Sequence, residues 1–189
     1  MKRTLCLVFG ALFLASTASA QMPGGGPQTI SLAVALQRAY DGVKQNLTAA
    51  ADKMSDADYG YRPSPEIRPY GGQFGHVANF HYMFCSAVKG EPNPNQGQDL
   101  EKKTTKAEFV KALADSFAYC DPAFTSLTNE NALQLVTQGQ NQIARAAVLS
   151  NLIAHDNEEY GVIAVYLRTK ALVPPSTERG MGMRGRGGR

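Results

Sequence analysis

The last of four helical segments in this sequence carries a histidine and a glutamate on its apolar face. From about Gln142 to Lys170, apolar residues recur at spacings of three and four, but His155 and Glu159 interrupt the stripe. A spacing of four places both side chains on adjacent turns of one helix face. A buried carboxylate is costly unless it is paired or bound to a metal. The pair is therefore a candidate for two metal ligands presented by one helix.

The other two histidines, His76 and His81, both lie on the second helical segment. Helical bundles often build metal sites from inward side chains on facing helices. The helical wheel places His81 nearer the centre of the apolar face than His76, so periodicity alone favours His81 or leaves the choice open. The simpler alternative is a histidine–carboxylate hydrogen bond inside a bundle or at its rim, with the remaining histidines as boundary residues. The spacing by itself favours that alternative.

Four segments with helical periodicity would position these groups. They run over about residues 31–54, 72–88, 106–127 and 142–170, and we predict no sheet because no long stretch alternates between apolar and polar residues. Four amphipathic helices bury one another's stripes most simply as a bundle. We therefore predict an all-α four-helix bundle over residues 31–173. Thr29 or Ser31 could cap the first helix, and Pro122 predicts a kink or an early end in the third.

Both ends of the chain are predicted to lie outside the bundle. Residues 1–20 combine a positive start, a short apolar run and a final Ala-Ser-Ala, which is the pattern of a secretory signal peptide. Residues 21–30 form a predicted flexible leader, and residues 174–189 a predicted disordered arginine- and glycine-rich tail. We expect a secreted or periplasmic protein with no integral membrane span. A weaker hypothesis makes the tail an electrostatic tether to an anionic lipid or polymer.

The apparent basicity of the chain belongs to its ends. Its net charge is +3, Lys2 and Arg3 account for two of these charges, and residues 178–189 account for three more. The body is left near −2, without a basic face that would favour phosphate backbones. No nucleic-acid partner is expected.

Two cysteines, Cys85 and Cys120, remain after the predicted cleavage. An exported chain meets an oxidising compartment, so an even number of cysteines favours a disulfide. The alternative is a pair of buried free thiols. We predict a bridge that joins the second and third helices.

Three separated motifs of this chain resemble those of a known protein family. The run Gln73-Phe-Gly-His-Val-Ala-Asn-Phe-His-Tyr-Met-Phe-Cys85 is similar to the family's second-helix motif. The run His155-Asp-Asn-Glu-Glu-Tyr-Gly-Val-Ile-Ala-Val-Tyr-Leu-Arg168 is similar to its last-helix motif, and Tyr61-Arg-Pro-Ser-Pro-Glu-Ile-Arg68 matches the connection before the second helix. The family is that of the exported DinB/YfiT-like proteins, and the resemblance covers nearly all of residues 31–176.

This resemblance implies an up-down-down-up bundle with a divalent-metal site. Carried over by position, the metal ligands are His76, His155 and residue 159, where this chain has Glu159 in place of the family's histidine. Such a set can bind zinc, nickel, manganese or iron. It could equally mark a site that has lost its metal. The neighbouring Glu158 is predicted to be solvated.

The same resemblance suggests a metal-dependent enzyme of the cell envelope, similar to hydrolases or thiol transferases and acting on a small molecule or a thiol. The alternative is a non-catalytic metal- or ligand-binding bundle, or a stress-related interaction protein. The substituted third ligand favours the alternative, whereas ionisable groups on an inward stripe favour the enzyme. A homodimer is one assembly that the sequence allows.

Overall fold

The computed structural model describes residues 29–186. The predicted signal peptide and most of the predicted leader lie outside these residues, as do Cys6 and residues 187–189. No helix of the described part is long and apolar enough to cross a membrane.

Four long helices form a bundle around one apolar core, as predicted. They are α1 (Leu32–Lys53), α2 (Tyr70–Lys89), α3 (Lys106–Thr125) and α4 (Arg145–Thr169). Short 3-10 turns at Asp56–Asp58 and Leu100–Lys102 lie in the connections that follow α1 and α2. The largest fully buried side chains come from all four long helices, which is why the helices stay together.

The helices run up, down, down and up, which confirms the predicted arrangement. Tyr40 near the start of α1 donates a hydrogen bond to Asp121 near the end of α3, so α1 and α3 are antiparallel. Near the middle of the bundle, His81 of α2 contacts both Ser116 of α3 and Asp156 of α4. Helices α1 and α2 occupy opposite corners, and each packs on α3 and α4.

The helix ends follow local capping chemistry. The Ser31 side chain accepts a hydrogen bond from the backbone N–H of Val34, which satisfies one of the free donors at the start of α1. Thr105 and Glu108 form a reciprocal capping box at the start of α3. Helix α3 continues through Pro122 for only three more residues before it ends at Thr125.

The prediction that the chain has no sheet is wrong for one short segment. Strands β1 (Leu135–Gln138) and β2 (Asn141–Ala144) form an antiparallel hairpin in which Leu135 faces Ala144. Gly139 opens the two-residue turn with φ of 60°, a conformation that suits glycine. The hairpin occupies the start of the fourth predicted helix, which therefore begins at Arg145 instead of about Gln142. Strands of four residues are too short to show a clear alternation.

The prediction of a disordered tail is also wrong for much of its length. Residues Pro175–Arg186 form a fifth helix, α5, whose first residue is a proline. Proline suits this position because its missing N–H would have no partner there. Tyr160 of α4 donates a hydrogen bond to Ser176, and Glu178 forms an ion pair with Lys53 of α1 at 2.7 Å. Composition alone gave no sign of these contacts with the bundle.

The predicted disulfide between Cys85 and Cys120 is confirmed. It joins α2 to α3 with a Cα–Cα distance of 5.4 Å, and both cysteines are fully buried. The bridge closes a loop across a sequence separation of 35 residues.

Replacing Cys85 and Cys120 together with alanine is expected to lower the free energy of unfolding by about 3–4 kcal/mol. A loop of this length restricts the unfolded chain by roughly that amount. Urea unfolding of the mature protein measures the loss, and thiol titration of the unfolded, unreduced protein counts the free cysteines. Two reactive thiols per chain would contradict the bridge.

Candidate metal centre

Three potential ligands from two helices converge on one point of the bundle. The Nε2 atom of His76 lies 3.7 Å from Oε1 of Glu159, and Nε2 of His155 lies 4.0 Å from the same oxygen. One ligand atom from each residue lies within 4.8 Å of the other two. The structure therefore brings together the three residues that the sequence analysis nominated.

Helix geometry accounts for this convergence. His155 and Glu159 are one turn apart on α4, and α2 runs antiparallel to α4 so that His76 faces both. The ring of Phe80 stacks on the ring of His155, with centroids 3.9 Å apart and planes 10° apart. Phe80 also contacts His76 at a centroid distance of 4.7 Å. One aromatic side chain thus restricts the orientation of both imidazoles.

The two ring nitrogens of His155 are buried without the hydrogen bonds that they would need. Neither nitrogen has a hydrogen-bond partner among the residues that the structure describes. The side chain of His155 is only 14% exposed. Buried polar atoms are almost always satisfied, so an orphaned pair calls for an explanation such as a bound ion.

The donor set also fits a divalent cation. Two ligand atoms about 2.0–2.2 Å from zinc at a tetrahedral angle lie about 3.4 Å apart. The distances of 3.7 and 4.0 Å from Glu159 to the two imidazoles exceed that value by only a few tenths of an ångström. Two neutral imidazoles and one carboxylate are ligands that zinc, nickel, manganese and iron all accept.

His76 is held from its other side by a carboxylate. Its Nδ1 atom lies 2.6 Å from Oε1 of Glu101, which belongs to the 3-10 turn Leu100–Lys102. The second oxygen of Glu101 accepts a hydrogen bond from Nε of Arg68 at 2.8 Å. Glu101 could not be singled out from the sequence, because nothing in the periodicity of a connection indicates where its side chain lies.

His81 lies deeper in the bundle, apart from the three converging residues. Its Nδ1 is 2.8 Å from Oγ of Ser116, and its Nε2 is 3.1 Å from Oδ2 of Asp156. The side chains of His81 and Asp156 are both fully buried. The helical wheel therefore ranked His81 correctly as the more central histidine, although its nearest partners are Ser116 and Asp156 and not the ligand cluster.

Asp156 is a second residue that the sequence analysis missed. Burial by itself would raise the pKa of this carboxyl group, but the attraction of His81 and His155 outweighs burial and lowers the pKa. The favoured state of the pair is thus an ionised carboxylate facing a histidine. Its position next to His155 in the sequence was the available signal.

A shallow cleft gives access to Glu159 from solvent. It is lined by Glu66, Ile67, Arg68, Gln73, Glu159 and Val162. Val162, three residues after Glu159 on α4, is 37% exposed at this cleft, whereas its neighbour Ile163 is buried. Glu158 is exposed, as predicted.

Gln73 presents a free acceptor beside this cleft. Tyr166 donates its hydroxyl hydrogen to the carbonyl of Arg68, so its oxygen accepts from the amide nitrogen of Gln73. This assignment leaves Oε1 of Gln73 buried, without a hydrogen-bond partner in the described part of the chain. Because Gln73 is part of the cleft lining, an unpaired acceptor lies directly beside the cleft.

Comparison with known proteins agrees with this fold. A crystal structure of a DinB-like protein from Bacillus cereus matches with a TM-score of 0.62 and 14% identity, covering 74% of this chain and 93% of that one. A conserved protein of Enterococcus faecalis matches with a TM-score of 0.59 and 16% identity, covering 74% and 96%. No curated protein matches the chain. The family model of the DinB superfamily matches residues 39–163, and this chain belongs to that superfamily.

Proposed function

We infer that the protein is a divalent-metal-dependent enzyme of the DinB superfamily, of a hydrolase-like or thiol-transferase-like kind. The observation that carries this proposal is the pair of buried ring nitrogens of His155, which have no hydrogen-bond partner among the described residues. The same ring lies beside Nε2 of His76 and the carboxylate of Glu159. A bound cation would satisfy all three side chains at once.

Each residue has a distinct part in this proposal. His76 and His155 would supply neutral nitrogen ligands, and Glu159 would supply the one negative charge that offsets part of the charge of the ion. A bound divalent ion lowers the pKa of a coordinated water or thiol, which makes either a nucleophile near neutral pH. Three protein ligands leave a coordination position open, which is typical of catalytic sites.

The cleft supports an enzyme because Glu159, one of the proposed ligands, is part of its lining. Oε1 of Gln73 would accept a hydrogen bond from an N–H or O–H group of the substrate and so orient it toward Glu159. Ile67 and Val162 give the cleft an apolar wall. A small molecule with one apolar part and one hydrogen-bond donor is the substrate class that these groups suit.

The test is metal analysis of the mature protein purified without a histidine tag. We expect one divalent ion per chain, lost on replacement of His155 with alanine and retained on replacement of Asn157, an exposed residue of the same helix. Loading with Mn²⁺ should also enhance the relaxation of water protons, because an open position holds exchanging water. If the mature protein binds no ion when one equivalent of metal is added, the proposal is rejected.

The second candidate is a non-catalytic metal-binding bundle. Glu159 stands where the family resemblance leads us to expect histidine, and this substitution favours a changed use of the site. A thiol added to the Co²⁺-loaded protein discriminates between the two functions. A thiolate–cobalt absorption band is expected for the enzyme, whereas a coordinatively closed site would give none.

We place the protein outside the cytosol, in the periplasm or the medium. The support is the disulfide between Cys85 and Cys120, since such bridges persist in oxidising compartments. The amino-terminal residues 1–20, with their signal-peptide pattern, agree with this location.

A further inference from the structure

We propose that Glu101 is a positioning residue for His76, fixing which ring nitrogen of that histidine carries its proton. The fixed tautomer is a property of the metal-free protein, and its effect on metal affinity rests on the proposed function.

The hydrogen bond determines the tautomer. A carboxylate can only accept, so the nitrogen 2.6 Å from Oε1 of Glu101 must carry the hydrogen. That nitrogen is Nδ1, and in the neutral ring Nε2 is then left with its lone pair. Nε2 is the atom that faces Glu159 at 3.7 Å. The ring therefore lies between two carboxylates, one that holds it and one that would share its metal.

Glu101 is itself held in place. Nε of Arg68 donates to Oε2 at 2.8 Å, which leaves Oε1 free for the imidazole. The guanidinium also offsets the negative charge of Glu101. Of the two carboxylates beside His76, only that of Glu159 is then left without a cationic side chain as partner among the described residues. Arg68 is also part of the cleft lining.

The backbone around Glu101 is fitted closely to α2. A Cβ on Gly75 would lie 2.8 Å from the Cα of Glu101 and would also collide with the carbonyl of Leu100. Glycine immediately before His76 thus allows the turn to approach the helix. Asn79, one turn later on α2, accepts a hydrogen bond from the backbone N–H of Leu100 at 3.1 Å. These contacts set the distance between the Glu101 carboxylate and the His76 ring.

His76 and His155 differ in whether a carboxylate holds their Nδ1 atom. Nδ1 of His155 has its nearest carboxylate, that of Asp156, at 3.7 Å, beyond hydrogen-bonding distance. His76 is therefore preorganised, while His155 keeps a choice of tautomer. Partners in the second coordination sphere usually change metal affinity about 10–100-fold when they are removed. We expect this range for Glu101.

The first measurement is long-range ¹H–¹⁵N NMR of the metal-free mature protein at about pH 8.5, where an ordinary imidazole is neutral. His76 should show the Nδ1–H form. Glu101→Leu should convert it to a mixture dominated by Nε2–H, the form that free neutral histidine favours in water. Glu101→Gln should retain Nδ1–H, because its amide oxygen can still accept, and it serves as the conservative variant if Glu101→Leu does not fold. An Nε2–H form in the unaltered protein would overturn the proposal, as would an unchanged tautomer in a folded Glu101→Leu variant.

The second measurement is Zn²⁺ affinity by competition with a chromophoric chelator. Glu101→Leu should weaken binding about 10–100-fold, and Glu101→Gln should weaken it less. Glu158→Leu, which removes an exposed carboxylate of α4 near the site, is the matched control and should change affinity less than threefold. If Glu101→Leu and Glu158→Leu lose Zn²⁺ affinity equally, the loss of a negative charge explains the effect, and Glu101 does not act by positioning His76. If the unaltered protein binds no Zn²⁺, the proposed function fails while the NMR result still decides the tautomer.

Discussion

Replacing His81 with leucine is expected to lower the free energy of unfolding by about 3–5 kcal/mol. His81 and Asp156 are fully buried and face each other at 3.1 Å. Removing one partner of a buried pair leaves the other without compensation, and losses of this size follow. The substitution also removes the contact between His81 and Ser116.

Urea unfolding of the metal-free protein measures this loss. His76→Leu is the matched control, because His76 is at the edge of the site with 13% of its side chain exposed, and it should cost far less. The double variant His81→Leu/Asp156→Leu should be less destabilised than the sum of the two single variants. Equal losses in His81→Leu and His76→Leu would contradict a special role for the buried pair.

The pKa of Asp156 determines the pH range in which this loss of stability can be measured. Because the folded-state pKa is lowered, the carboxylate contributes its full stability above the ordinary pKa of aspartate, about 3.9. That contribution is lost as the pH falls through the lower folded-state pKa. The part of the difference between the unaltered protein and the His81→Leu variant that comes from the ionised carboxylate should therefore be present above the ordinary pKa of aspartate and should shrink only in stronger acid.

The parts of the fold that could be predicted from sequence are those fixed by local periodicity. The spacing of His155 and Glu159 placed them on one face of a helix, and no tertiary information was needed for that step. His76 could not be chosen in this way, because periodicity favours the more central His81. Its nomination required the family resemblance.

Residues that depend on the course of a connection were missed. Glu101 reaches His76 only because the turn Leu100–Lys102 packs on α2 next to Gly75. No periodic pattern indicates such an approach, although a glycine beside a candidate ligand was a hint. The hairpin was missed because two strands of four residues give too little alternation, and α5 because its composition is typical of disordered segments.

The other large effect is expected at Glu159, the one charged member of the proposed ligand set. A structural zinc site of four ligands gives roughly 10–16 kcal/mol of binding free energy, or about 3 kcal/mol for each ligand. Replacing Glu159 with alanine should therefore weaken Zn²⁺ binding about a hundredfold or more. Glu159→Gln keeps the size of the side chain but removes the charge, so its affinity should fall between those of Glu159→Ala and the unaltered protein.

The informative variant is Glu159→His, which restores the ligand set implied by the family resemblance. Imidazole is a stronger ligand for zinc and nickel than for manganese, whereas a carboxylate suits manganese. Glu159→His should therefore bind Zn²⁺ and Ni²⁺ at least as tightly as the unaltered protein and should bind Mn²⁺ more weakly. Parallel titrations with the three ions measure this change, and Glu158→His on the exposed side of α4 is the matched control. If Glu159→His and Glu158→His alter the relative affinities equally, the side chain at position 159 is not a ligand.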